Sequence, residues 1–341
     1  MTETGGRCSI AALSAVIVSL LHVSCAGDGG KSVLGPSWEE ALATIADTSL
    51  CPAYNGLVMD PQPGLIPLGQ DPHSRLWEFL HSATGSAPLR RPDGSLEIGA
   101  SAGVVLVLLP GNDVWMGSDA ETPHSLADEW PRHSVRLDPF FLSKYELTHE
   151  QWIRCGGTPN GDVPGGTALP LAGVHRAQAQ RVLEAVGLVL PTEVQWEFGA
   201  RGGCTTTWSS GSARESLEGV ANIADRSLKR GGGPPGWTYE EWLDDRQSGP
   251  APVGSYGPNA FGLHDTMGNL FEWVCDDYRS YDQPAANGDG QRSGDGEPFG
   301  VVRGGSYRRG AEAARPAARR PVDYGARERD LGVRPAAALK Q

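Results

Sequence analysis

The stretch RGGSYRRGAEAARPAARR, Arg303–Arg320, decides how the chain is read. Its Gly304-Gly305 pair marks a turn, and Tyr307 is the aromatic beside it. The rest is dominated by arginine. Arg303, Arg308, Arg309, Arg315, Arg319, Arg320, Arg327, Arg329 and Arg334 fall within 32 positions of a chain whose formal net charge is −12. Guanidinium groups suit bidentate recognition of carboxylate, sulfate or phosphate. Two readings follow. Arg303, Arg308, Arg309 and Arg315 line a cleft for an anion or acidic peptide, or the field pairs internally with surplus Asp and Glu and holds the fold together.

Working outward, the composition of the 341 residues sets the frame. A hydrophobic share of 39% with ten Trp supports a real core, while 46 Gly and 26 Pro without a Gly-X-Y period imply many turns and long loops. The acidic balance repels phosphate backbones and argues against nucleic-acid binding. Val104–Leu109 (VVLVLL) reads as a buried strand, ending at Pro110-Gly111, with Val114–Ser118 returning as its hairpin partner. Ser134–Asp138 and Phe140–Thr148 are strand-like. Helices are expected at Trp38–Ile45, after an N-cap at Thr148, over Arg176–Val186, and after Thr192, whose Gln195 completes a capping box. No βαβ alternation, heptad or internal repeat occurs. The expected class is α+β with few helices, short strands and long loops.

The N-terminus has the form of an export signal over residues 1–26. Arg7 precedes the apolar run Ile10–Val23, too short for a comfortable membrane span, and Ser24-Cys25-Ala26 follow. Val23-Ser24-Cys25 resembles a lipobox, although His22 stands where an aliphatic residue is usual. Cleavage after Ala26 by ordinary signal peptidase is the alternative. The mature chain is then expected to be periplasmic, anchored to the outer membrane through Cys25, or extracellular. Residues 27–51 read as a tether, 52–100 as an extension of the main domain, and 101–341 as that domain. Cys51, Cys155, Cys204 and Cys275 remain after the leader, enough for two disulfides in three pairings or for four small buried hydrophobes. No CxxC or Cys/His cluster is present, which argues against zinc.

Five landmarks occur in order: MGS at Met116, PFFLSKYELT at Pro139, LPTEVQWEFGARGG at Leu190, PVGSYGPNAFGLHDTMGNLFEWVCD at Pro252, and RGGSY…AARR…LGVRPA from Arg303. Each alone is a turn plus an aromatic. Together they resemble the formylglycine-generating enzyme, or sulfatase-modifying factor, family over about Val104–Ala336. The resemblance implies a C-type-lectin-like fold with little regular secondary structure. It also implies one calcium site at Asp265, Gly268, Leu270 and Glu272, and a second at Asn222, Ile223, Asp245 and Gln247. Asp265 and Glu272 flanking a Gly turn suit a hard cation with flexible oxygen coordination; the competing reading is that they cap turns and pair with arginines.

The resemblance places that enzyme's two copper-binding cysteines two and seven residues after Tyr307, where Arg309 and Ala314 stand. Neither binds Cu(I) or forms a redox disulfide, so copper and the formylglycine-forming reaction are not expected. The eight His, including His124 and His133 beside the acidic loop Asp119–Glu129, show no HxxxH pair, and no GxSxG or Walker motif appears. The expectation is an exported, calcium-stabilised binding or accessory module for an unidentified peptide, anionic ligand or protein. The alternative is a metal-dependent oxidase or maturation enzyme of the same family.

Overall fold

The computed structural model describes residues 35–161, 168–292 and 298–340. The expected leader, including Cys25, and the first part of the expected tether lie outside them. No helix among the described residues is long and apolar enough to cross a membrane.

The described residues open with α1 (Trp38–Ala46), followed by strands β1 (Leu65–Gln70), β2 (Trp77–His81), β3 (Leu89–Arg90), β4 (Leu96–Glu97), β5 (Val105–Leu109), β6 (Asn112–Met116), β7 (His133–Leu137) and β8 (Phe140–Ser143). Four helices come next: α2 (His149–Arg154), α3 (Arg176–Glu184), α4 (Glu193–Arg201) and α5 (Arg226–Arg230). Strands β9 (Phe271–Asp277), β10 (Phe299–Arg303), β11 (Arg319–Asp323), β12 (Leu331–Val333) and β13 (Ala336–Ala338) complete the order. A five-stranded sheet runs β1-β2-β5-β8-β13, and a four-stranded sheet runs β11-β10-β9-β12. Two-stranded ribbons β3-β4 and β6-β7 flank them. The class is α+β, as expected.

Strand β5 is buried along its whole length because both its edges are taken, by β2 and by β8. This corrects the expected hairpin. Val114–Ser118 does not return onto β5; β6 leaves the sheet and pairs with β7, Val114 opposite Val135. The burial patterns explain the choice, since β6 and β7 each keep a wet face and suit one another, whereas β5 has none.

The helix expected over Trp38–Ile45, inside the stretch read as a tether, forms at Trp38–Ala46 and is packed. Ser37 caps it by accepting from the Glu40 amide, Ala41 and Ile45 are wholly buried, and Trp38 stacks on Phe79 with ring centroids 5.2 Å apart. The following extension supplies β1 and β2 to the main sheet, antiparallel to one another. Thr148 and Thr192 both close complete capping boxes, with Gln151 and Gln195. Helix α4 then lies so close to β8 that a Cβ on Gly199 would stand 2.5 Å from a Leu142 methyl. That close approach delivers Glu193, Trp196 and Glu197 of α4, all buried, to the second sheet.

Candidate functional site

The turn Asp265–Glu272 is built from backbone that most residues avoid. Asp265 and Asn269 have φ of 57° and 59°, and Gly268 has φ of 91°. A Cβ on Gly268 would stand 1.9 Å from the Asn222 carbonyl oxygen, so only glycine lets the two loops meet. They are joined by Asn269 N–H donating to Asn222 O and by Asn222 Nδ2 donating to Asn269 Oδ1. The two candidate calcium sets are therefore neighbours.

Each set contains one buried oxygen without a hydrogen-bond partner. Asp265 Oδ2 accepts from the Gly254 amide at 2.7 Å, but Oδ1 has no donor. Asn222 Oδ1 is likewise unsatisfied. Asp245 accepts from the amides of Ile223 (3.2 Å) and Gln247 (2.8 Å), which holds the second set together. Burial pushes Asp265 up to about 7, and burial with Asp225 as a negative neighbour does the same to Asp245. An orphaned buried acceptor is costly, and a cation beside it would remove that cost. The residues present thus fit the ion. Among the described residues no three His, Cys, Asp or Glu side chains converge in a metal-binding cluster. Calcium here would draw on backbone carbonyls and the Asn222 amide as well.

Glu272 is different. Its carboxylate is clasped by Arg334, Nη2 to Oε1 at 2.7 Å and Nε to Oε2 at 2.9 Å, and receives the Trp196 indole at 2.5 Å. It is an ion-pair member. Sequence reasoning missed Glu146, which accepts from the Leu270 amide at 2.9 Å and from the Asn269 side chain. Burial, then repulsion from Asp265 and Glu272, drives its carboxyl well above the usual range. The available signal was an acid inside the apolar run FFLSKYELT.

The arginine field divides sharply. Arg303 is fully buried, bound to Glu193, Glu197, Tyr281 and the Pro316 carbonyl. Arg315 grips Glu129 through two bonds of 2.8 and 2.6 Å. Arg319 grips Glu193, and Arg320 grips Glu328. Arg303 is thereby corrected from a cleft residue to framework; Arg315 lines the Arg309 cavity but spends its guanidinium on Glu129, and such buried carboxylates would be intolerable unpaired. Arg308 lies over the Trp237 ring at 4.7 Å with Asp330 3.7 Å away. Arg309 is exposed and has no side-chain partner among the described residues. It borders a cavity of about 310 Å³ that also meets Phe271, Ala313, Ala318 and His124. Ala314 is sealed in an apolar cluster with Trp208, Leu217, Ile223 and Met267.

Cys51, Cys155, Cys204 and Cys275 are all free thiols, so of the two open readings the buried-hydrophobe one fits Cys51 and Cys155, while Cys204 and Cys275 are half-buried. Burial pushes Cys155 up to about 11, which disfavours the thiolate that a soft metal requires.

Sheets, loops and site together define a domain of the C-type-lectin-like, formylglycine-generating-enzyme type. Residues 100–339 match the sulfatase-modifying factor enzyme 1-like domain, and the chain belongs to that family. It is similar to the serine/threonine-protein kinase pkn1 of Chlamydia pneumoniae, 28% identical over 258 residues that cover 67% of this chain and 37% of that one. The chain spans little more than a third of such chlamydial relatives. It is 26% identical over 264 residues to the formylglycine-generating enzyme of Streptomyces coelicolor, covering 59% of this chain and 78% of that enzyme. Among solved structures, PvdO from Pseudomonas aeruginosa shares the fold, with a TM-score of 0.58 at 23% identity over 70% of this chain and 95% of PvdO.

Proposed function

We propose that the protein is an exported, calcium-stabilised binding or accessory module of this family that does not form formylglycine. The observation that carries the reading is the state of the two positions where the family resemblance puts copper-binding thiols. One is Arg309, an exposed cation, and the other is Ala314, closed off in apolar core. The four described cysteines sit elsewhere, on the β1 side of the fold, after α2, after α4 and within β9. Calcium at the Asp265 and Asn222 loops supplies charge neutralisation, held by Asp265 with the Gly268 and Leu270 carbonyls, and by Asn222, Asp245 and the Ile223 and Gln247 carbonyls. Their shared role is to fix the turn beneath Tyr307, whose amide donates to the Asn269 carbonyl at 2.9 Å. Arg309 and the cavity against Phe271 are then left open to a peptide, anion or protein. Cys25 is the proposed lipid anchor.

The test is elemental analysis of the purified mature protein, together with incubation with a CxPxR-containing peptide under oxygen. Calcium without copper or iron, and an unmodified peptide cysteine, are expected. Stoichiometric copper or iron, or any formylglycine, overturns the reading.

A further inference from the structure

Three arginines of the C-terminal field have no acidic partner among the described residues: Arg309, Arg327 and Arg329. Arg327 and Arg329 stand one residue either side of Glu328, whose carboxylate turns back to Arg320 at 2.7 Å. Both are exposed, and both line a cavity of about 650 Å³ with His149 and Tyr307. The remaining walls include Leu169, Pro170 and Pro250. Asp330, next to Arg329 in the chain, offers no neutralisation. It is 1% exposed and already engaged by Ser306 Oγ at 2.7 Å and by Arg308.

The His175 imidazole is held below its ordinary range by burial and then by the charges of Arg327 and Arg181. On a chain of net charge −12, two unneutralised guanidiniums facing one cavity reverse the local field. Other arginines of the same field found internal carboxylates; these two are left for an external one. The cavity is also larger than an inorganic anion needs, and half of its wall is apolar, which suits a chain with carbon skeleton between its charges.

We propose that this cavity binds an acidic peptide segment, with two of its carboxylates on Arg327 and Arg329 and its chain against Leu169, Pro170 and Pro250. The site shares no lining residue with the Arg309 cavity, and it names a partner class that the module reading leaves open. A partner of this kind binds through charge-assisted, bidentate contacts, so its affinity falls as salt rises.

The experiment is fluorescence anisotropy with the mature protein and a labelled hexapeptide of alternating Glu and Leu, beside the same peptide with Gln for Glu. The Glu peptide is expected to bind at least tenfold more tightly. The Arg327→Ala/Arg329→Ala double variant should lose at least tenfold with its melting temperature unchanged, while Arg136→Ala, on the exposed β6-β7 ribbon, binds as the parent does. Equal binding of the Gln peptide overturns the proposal. So does competition by inorganic phosphate at the same concentration as the peptide, or loss on Arg309→Ala with none in the double variant. Formylglycine formation in the earlier test would defeat the module reading and leave this outcome untouched.

Discussion

Asp265 and Glu272 were indistinguishable as letters flanking a glycine turn, and the structure separates them. Glu272 is locked to Arg334 with both side chains essentially inaccessible, so Glu272→Ala strands a buried guanidinium. That should cost about 3–5 kcal/mol by denaturant unfolding, equally in calcium and in chelator. Asp265→Asn should instead remove only the stabilisation that calcium adds, leaving the chelator curve nearly unchanged. A calcium-dependent loss for Glu272→Ala, or none for Asp265→Asn, would reverse these assignments. Sequence could place both residues in the right loop because Gly268 and the two left-handed positions are demanded by that loop's geometry. It could not choose their partners, because Arg334 and Trp196 arrive from positions 62 and 76 residues away. The same distance hid the fate of Arg303 and Arg315, whose carboxylates lie 106 to 186 residues back.

At the scale of elements, local signals were read well where the cause was local. Thr192 accepts from the Gln195 amide at 3.1 Å, and its hydroxyl also donates to the Asp289 carbonyl at 2.6 Å. Thr192→Ala should therefore destabilise by about 1–2 kcal/mol, measured as a shift in the denaturant midpoint at unchanged slope. Strand pairing was legible only in part. The alternation of Ser134–Asp138 identified β7, but its partner was decided by which strands had a free edge, which is a property of the sheet. Likewise the stretch 52–100, read as an extension of the main domain, did not announce β1 and β2. Pro67 and the register shift between Pro67 and Gly69 interrupt the pattern that would have marked a strand.

For the whole molecule, the acids that matter most are those the core retains. Asp276 lies fully buried between the amides of Glu193 and Arg292, at 2.6 and 2.7 Å, and burial followed by repulsion from Glu193 pushes it up to about 7. Folding thus takes up a proton between the ordinary aspartate range and pH 7. Stability falls as pH rises through that window, by about 1.4 kcal/mol per pH unit for each such group, and levels off above it. Asp276→Asn should make the measured stability shallower in pH by one proton; an unchanged slope would count against the assignment. The final two strands carry another consequence. Strand β12 completes one sheet beside β9, and β13, two residues further on, closes the other beside β8. Lys340 then clasps Gln62 from both sides of its amide. Both sheets accordingly wait on the same eight residues. During synthesis the polypeptide must emerge as far as Ala338 before either sheet is complete, so the closing pairings of both arrive late and together.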